Sequence, residues 1–422
     1  MQRRALLAAL AALAGCGATP SGDESQTAGT TAGETQSPGT NAAYGLPGIE
    51  PSGNPAIPDK LDLRTAETLD IALSVTPVWL AGIQTQSGSS WAAVLEDGSV
   101  AGLRVTEDGV GRFELTPERI DGPPLLVHDD DLRVSAPASL AAHTHPVPVA
   151  GGLAWVRQDR RLQTTGGTVT VDSLPDAVPV ASGNRVFVLA EPTDSYDHGV
   201  LGDEIEAGSL AVVNAASGEI ERHLRPPEGT VIEGRSAMLA TLGGDPAAVV
   251  TASDATDGAR IVALGVDGDW RAVGPPVGAG FRWRHQLAVA PFGPNDEQAI
   301  AAVKTPHIGG VAEFYCRDGD RLRLAATDDG GYGSHEIGGR NLGGGIAGRF
   351  AGDDRWLLLL PDQQRQSLVG VAWNGAAGVV EQVFSLPLDG ALTTNVTAVR
   401  NTRETAVVAA GTESGVRFWR RR

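Results

Sequence analysis

Cysteine is almost absent, with only Cys16 and Cys316 in 422 residues. Because the first is read below as a lipidated cysteine, no internal disulfide is available and an apolar core has to carry the stability. Lysine is equally rare, occurring only at Lys60 and Lys304, so basic charge falls to arginine. With 33 basic against 51 acidic side chains, the formal net charge is −18. That surplus argues against nucleic acid and against adhesion to anionic headgroups. Also missing are amphipathic helical periodicity and the local signatures of catalysis. There is no Gly-x-Ser-x-Gly elbow, no His-Glu-x-x-His, no phosphate loop and no dinucleotide fingerprint.

What is present begins at the N-terminus. Arg3 and Arg4 precede an apolar run from Ala5 to Ala14, which ends at Gly15-Cys16. The run is about half of the ~20 residues that a membrane-spanning helix needs, so residues 1–15 read as a cleaved signal peptide. Small residues ahead of Cys16 admit a peptidase, and its thiolate is the nucleophile that accepts diacylglycerol. Leu13-Ala14-Gly15-Cys16 resembles the bacterial lipobox. The resemblance implies a lipoprotein held by lipid at Cys16 to the cell membrane or outer membrane, facing the periplasm or the exterior. Gly17 stands where an aspartate would signal inner-membrane retention, which favours the outer membrane. Residues 16–60 are rich in Gly, Ser, Thr, Pro and Glu and read as the lipidated cysteine and a flexible, disordered linker. Residues 61–422 form the folded domain.

That domain is a series of short apolar runs separated by Gly-rich and Asp-rich turns, the pattern of an all-β protein. Self-similarity recurs at about fifty residues, the range of solenoid and propeller repeats. The paired runs are Val186–Ala190 with Leu210–Val213, Ala248–Ser253 with Ile261–Leu264, Ile300–Lys304 with Val311–Tyr315, Leu357–Pro361 with Leu368–Trp373, and Ala406–Gly411 with Val416–Trp419. Weaker copies lie at Trp91–Val105 and Leu153–Arg157. A tight turn such as Asp267-Gly268 or Asp318-Gly319 follows several second runs and introduces a third. Such meanders of three to four antiparallel strands make a β-propeller of about seven blades. Small residues at Ala288, Ala290, Ala347 and Ala398 suit innermost strands. The last unit stops on its third strand, so ring closure calls for an early segment, Leu61–Leu63 or Ile71–Leu73.

Two segments, Leu287 to Glu297 and Ile346 to Asp354, resemble degenerate FG-GAP or VCBS-type repeats, whose fold is a β-propeller. The family's loops hold calcium through alternating aspartates. Here Pro291, Gly293, Pro294, Arg349, Ala351 and Gly352 occupy those places, and a cation that takes six or more oxygens is not served. No cofactor is expected, calcium being the one candidate.

The polar segments ahead of successive inner strands define a candidate binding site at one mouth of the central channel: Arg282, Arg284, His285, His335, Arg340, Asn341 and Asn395. Arg, His and Asn together recognise anions, sugars or a partner's carboxylates. His307 follows Ile300–Lys304, read as an inner strand, and is therefore expected at the opposite mouth. A carboxylate-dense insertion offers Asp194, Asp197, His198, Asp203 and Glu204 as possible metal ligands. His143 and His145 form a weaker pair, and Cys316 reads as a small buried hydrophobe. The functional expectation is a non-catalytic binding or scaffold protein at the cell envelope with a protein or glycan partner. The alternative is a propeller enzyme acting on a saccharide or small organic anion, with His285 or His335 as acid/base and Arg340 orienting the substrate.

Overall fold

A computed structural model describes residues 42–202, 204–375, 378–400 and 406–422. Among them the structure is a β-propeller with seven four-stranded blades and one reduced blade of three strands. In chain order the blades span residues 77–113, 126–134, 147–169, 180–224, 238–273, 284–328, 346–387 and 397–420. Each full blade is an antiparallel meander whose first strand lies innermost. Bridges at Ala207↔Ile232, Ile232↔Ala252 and Val273↔Arg321 fuse the fourth, fifth and sixth blades into one 13-stranded ladder.

Position in the blade explains the local sequence. Second strands are covered on both faces by neighbouring blades, so Leu357–Pro361 and Ala406–Thr412 are buried throughout and read as continuous apolar runs. Outer strands have a wet face, so Arg321–Asp328 and Val379–Pro387 mix exposed and buried positions. The self-similar pairs of the sequence are the second and third strands. Ala288, Ala290, Ala347 and Ala398 lie in inner strands and are buried, where small side chains let the blades converge.

Apolar clusters fill every junction around the ring. Leu80, Trp91, Val407 and Phe418 join the eighth blade to the first, with the Trp91 and Phe418 rings 5.3 Å apart and edge to face. Ala81, Ile83, Leu126 and Val134 join the first to the second. Leu125, Val127 and Leu153 join the second to the third. Phe292, Phe314, Leu358 and Leu360 fill the junction of the sixth and seventh. Removing one of the large aromatic side chains costs about 3–5 kcal/mol.

The linker boundary expected at residue 60 is displaced, because residues 43–60 belong to the propeller. Ala43–Gly45 supplies the inner strand of the reduced blade, pairing with Leu126–His128. Ala56–Lys60 runs parallel to Ile346–Arg349, the inner strand of the seventh blade. Between these strands the chain crosses the channel. Ala181 N–H donates to Pro51 O at 2.7 Å, Leu239 N–H to Ser52 O at 2.9 Å and Ala347 N–H to Pro55 O at 2.8 Å. The Asn54 side chain both donates to Val289 O and accepts from Val289 N–H, each at 2.9 Å. Pro47, Pro51 and Pro55 carry no N–H, which removes three donors the crossing would otherwise have to pair. Gly53, at φ +71°, passes where a Cβ would lie 2.7 Å from Val180 and 2.9 Å from Ala237 O. Composition suggested disorder because large apolar side chains are few here, whereas the backbone is what the ring grips.

Glu67–Ala72 pairs with Gly415–Arg420 and supplies the outer strand of the eighth blade. Of the two segments expected to close the ring, the one containing Ile71 does so. Leu61 and Leu63 instead extend the ladder along Arg349 and Phe350 and pack between the seventh and eighth blades. Cys16 and the signal peptide lie outside the described residues.

Candidate functional site

Every inner strand of a full blade starts at the same mouth of the channel, here called the front. Loops that precede inner strands and loops between second and third strands both open there. Leu46–Pro55 spans this mouth, and the blade loops close around it. Together they line a cavity of about 170 Å³ that includes Trp79, His145, Arg235, Trp283, His285 and Arg340. A second recess of about 190 Å³, lined by His335, Asn341 and Arg365, shares Trp79 and Arg340 with the first.

His285 and His335 come together, their rings 5.7 Å apart and edge to face. Trp283 stacks on His285 at 4.6 Å. His307 joins the group, 4.5 Å from His335. The expectation that His307 faces the opposite mouth is therefore wrong. Ile300–Lys304 lies within the second strand of its blade, not the inner one, and a second strand returns the chain to the front. Burial drives the His285 pKa down to about 3, with the nearby His307 adding to the effect. Burial likewise lowers His307, assisted by Arg365 and His198. Nδ1 of His285 is buried without a hydrogen-bond partner. Nδ1 of His335 lies 3.0 Å from Ser334 Oγ.

The other expected residues divide between lining and support. Arg340 lines both recesses, and its Nε donates to Asp176 Oδ2 at 3.1 Å. Asn395 is 1% exposed and behaves as a strand mimic. Its Oδ1 accepts from Leu80 N–H at 2.9 Å, while Nδ2 donates to Leu80 O at 2.9 Å and Pro47 O at 3.1 Å. Asn341 donates to Val78 O at 2.6 Å and accepts from Gly343 N–H at 3.1 Å. Arg284 is committed to a buried ion pair with Glu313, at 2.9 Å, and Tyr315 donates its hydroxyl to the same carboxylate at 2.6 Å. Arg282 is exposed on the loop ahead of the sixth blade.

Among its described residues the acidic insertion does not form a cage. Asp194, Asp197 and Glu204 are exposed, and Asp203 lies outside the described residues. His198 turns inward instead, 2.5 Å from a carboxylate oxygen of Glu233, which is fully buried and also accepts from Ser253. His143 is exposed while His145 is buried, so those two imidazoles do not face one site. Among the described residues no group of three or more His, Cys, Asp or Glu is arranged to hold a metal. Cys316 is 1% exposed, and burial pushes its thiol up to about 12.

Sequence reasoning missed Arg235 and Asp176. Arg235 is 4% exposed and donates through Nε to Asp176 Oδ2 at 2.9 Å. Its other nitrogens bond Asp176 O, Arg340 O and His143 O. The two residues lie in different loops, 59 positions apart, so no local pattern marks them as a pair.

No protein-family model matches the chain, and no curated protein matches it. Solved structures similar to it include the structure of U3-55K, at 11% identity and a TM-score of 0.42, covering 85% of this chain and 99% of that one. Another is the crystal structure of RRP9 WD40 repeats, at 10% identity and a TM-score of 0.41, covering 87% of this chain and 99% of that one.

Proposed function

We propose that this protein is a non-catalytic binding propeller, tethered by lipid at Cys16 to the cell membrane or outer membrane, that docks a protein partner on its front face. The observation that carries this is a set of exposed apolar side chains around the imidazole cluster. Ile308 is 82% exposed, Ile337 67% and Phe281 55%. Phe281 stacks on His198, and Ile308 follows His307 directly. Exposed apolar groups in this number on one face of an acidic protein fit a contact surface.

Catalysis at the channel has less support. A base held near pKa 3 stays unprotonated at neutral pH but is too weak to take a proton effectively. Arg284 is committed to Glu313, and the channel is crossed by the chain itself. A glycan partner would call for exposed polar side chains at the mouth, and Asn341 and Asn395 are engaged with backbone.

The test is photocrosslinking in intact cells from position 308, with position 130 on the opposite face as control. A discrete adduct from 308 and none from 130 is the expected result. Equal labelling at both positions, or none at 308, defeats the reading. Cys16→Ser should shift the protein from the membrane to the soluble fraction, and its retention in the membrane would remove the lipid tether from the proposal.

A further inference from the structure

The acidic insertion joins the second and third strands of the fourth blade, Arg185–Thr193 and Glu206–Asn214, and so opens at the front. Inward contacts fix its course. The His198 imidazole meets buried Glu233 at 2.5 Å, and Leu201 packs with Ala259 and Trp283 from loops of the following blades. Gly202 then passes so near the loop ahead of the seventh blade that a Cβ on it would lie 2.8 Å from Gly338 O. The insertion is thereby laid across the apolar patch. Phe281 stacks on His198 at one end, Ile337 precedes Gly338 at the other, and Ile205 adds an apolar side chain that is 41% exposed.

Charge around this patch has one sign in excess. Asp194, Asp197 and Glu204 are exposed on the insertion, and none of them has an ion pair among the described residues. Exposed aspartates elsewhere do find arginines, as Asp159 does with Arg161 and Asp353 with Arg355. Arg282, beside Phe281, offsets one of the three charges and leaves the carboxylates in excess. The Phe281 ring adds an attraction of its own. More than half exposed while stacked on His198, it offers an aromatic surface to a cation, and a guanidinium stacks there better than an ammonium. We propose that the partner meets this face with an arginine-bearing apolar segment of polypeptide. Its apolar side chains rest on Phe281, Ile205 and Ile337, and its guanidinium groups pair with Asp194, Asp197 and Glu204. This assignment rests on the protein-docking reading and adds to it the chemistry of the partner.

The experiment measures, by fluorescence anisotropy, the affinity of the purified full chain for short labelled peptides in which leucine alternates with arginine, glutamine or glutamate. The arginine peptide should bind most tightly, and less so as salt rises. Asp194→Asn, Asp197→Asn and Glu204→Gln together should weaken it about eightfold, about twofold for each exposed charge pair. Removing as many charges from the opposite face, with Asp108→Asn, Asp130→Asn and Asp131→Asn, should change it by less than about twofold. Phe281→Ala should weaken it about threefold. The assignment is overturned if the arginine peptide does not bind, if either other peptide matches it, if the front neutralisation costs no more than the opposite one, or if Phe281→Ala binds as tightly as wild type. In cells, the photocrosslinked adduct from position 308 should fade in the front triple variant. An undiminished adduct there overturns the arginine-bearing partner and leaves docking intact, whereas no adduct in wild type defeats the docking reading itself.

Discussion

Asn395 offers the sharpest test of how the ring is held. Replacing it with alanine removes three hydrogen bonds, at 2.9, 2.9 and 3.1 Å, from a side chain 1% exposed. The N–H and C=O of Leu80 point toward the channel, away from the next strand of the blade, so no ladder partner replaces the lost amide. Three bonds at about 1 kcal/mol each, plus the cost of burying orphaned groups, give a loss of about 3–5 kcal/mol. At about 2.1 cal/mol/K per residue, a propeller of this length has an unfolding entropy near 0.8 kcal/mol/K, so the midpoint should fall by about 4–6 °C. Asn341→Ala is the comparator, since it loses two bonds from a half-buried position and should fall by less than half as much. Differential scanning calorimetry of both variants decides the matter. A midpoint for Asn395→Ala within about 1 °C of wild type, or a larger loss for Asn341→Ala, would refute the strand-mimic account.

Three further outcomes follow from the same structure. In Gly45→Ala the new Cβ would lie 2.2 Å from Gly82 O, so the inner strand of the reduced blade must shift; hydrogen exchange at Leu126–His128 should accelerate while the sixth blade stays unchanged. His145 and His285 are held by burial at about 4 and about 3 in the folded state, against an ordinary value near 6.5. The unfolded chain therefore takes up protons first as pH drops, and each group removes about 1.4 kcal/mol of stability per pH unit between about 6.5 and its folded value. Denaturant titrations of His285→Phe should show a shallower acid slope than wild type, and an unchanged slope would contradict the burial argument. Arg284→Met should cost about 3–5 kcal/mol, because it leaves buried Glu313 with only the longer contact to Lys304 at 3.8 Å and the Tyr315 hydroxyl, and Glu313→Gln added to it should restore part of the loss in thermal melts.

The propeller was legible because its second strands are sandwiched. Burial on both sides forces runs such as Leu357–Leu360 to be uniformly apolar, and tight turns repeat at the period of a blade. The meeting of His285 with His335 was legible too, since one stands at the start of an inner strand and the other in the loop ahead of the next. The crossing segment was not, because what holds it is backbone carbonyls at Pro51, Ser52 and Pro55, and hydrogen bonds of that kind leave no trace in side-chain pattern. Arg284 was misjudged for a related reason. Its neighbour in sequence faces the channel, and alternation along an inner strand sends Arg284 the other way, to Glu313. Nothing local could pair Arg235 with Asp176.

The crossing segment also sets the order in which the molecule can be assembled. Asn395 reaches Pro47 across 348 positions, and Arg417 reaches Asp70 across 347. During synthesis or export, a chain that emerges from its first residue onward carries Glu67–Ala72 as a strand with no partner until the final blade appears. Closure is thus the last event and a slow one, since loops of that length must be brought together before any contact rewards them. A rearranged chain that carried residues 67–72 after Arg422 would turn the longest of these strand pairings into a local one, and should close faster while keeping the same ring.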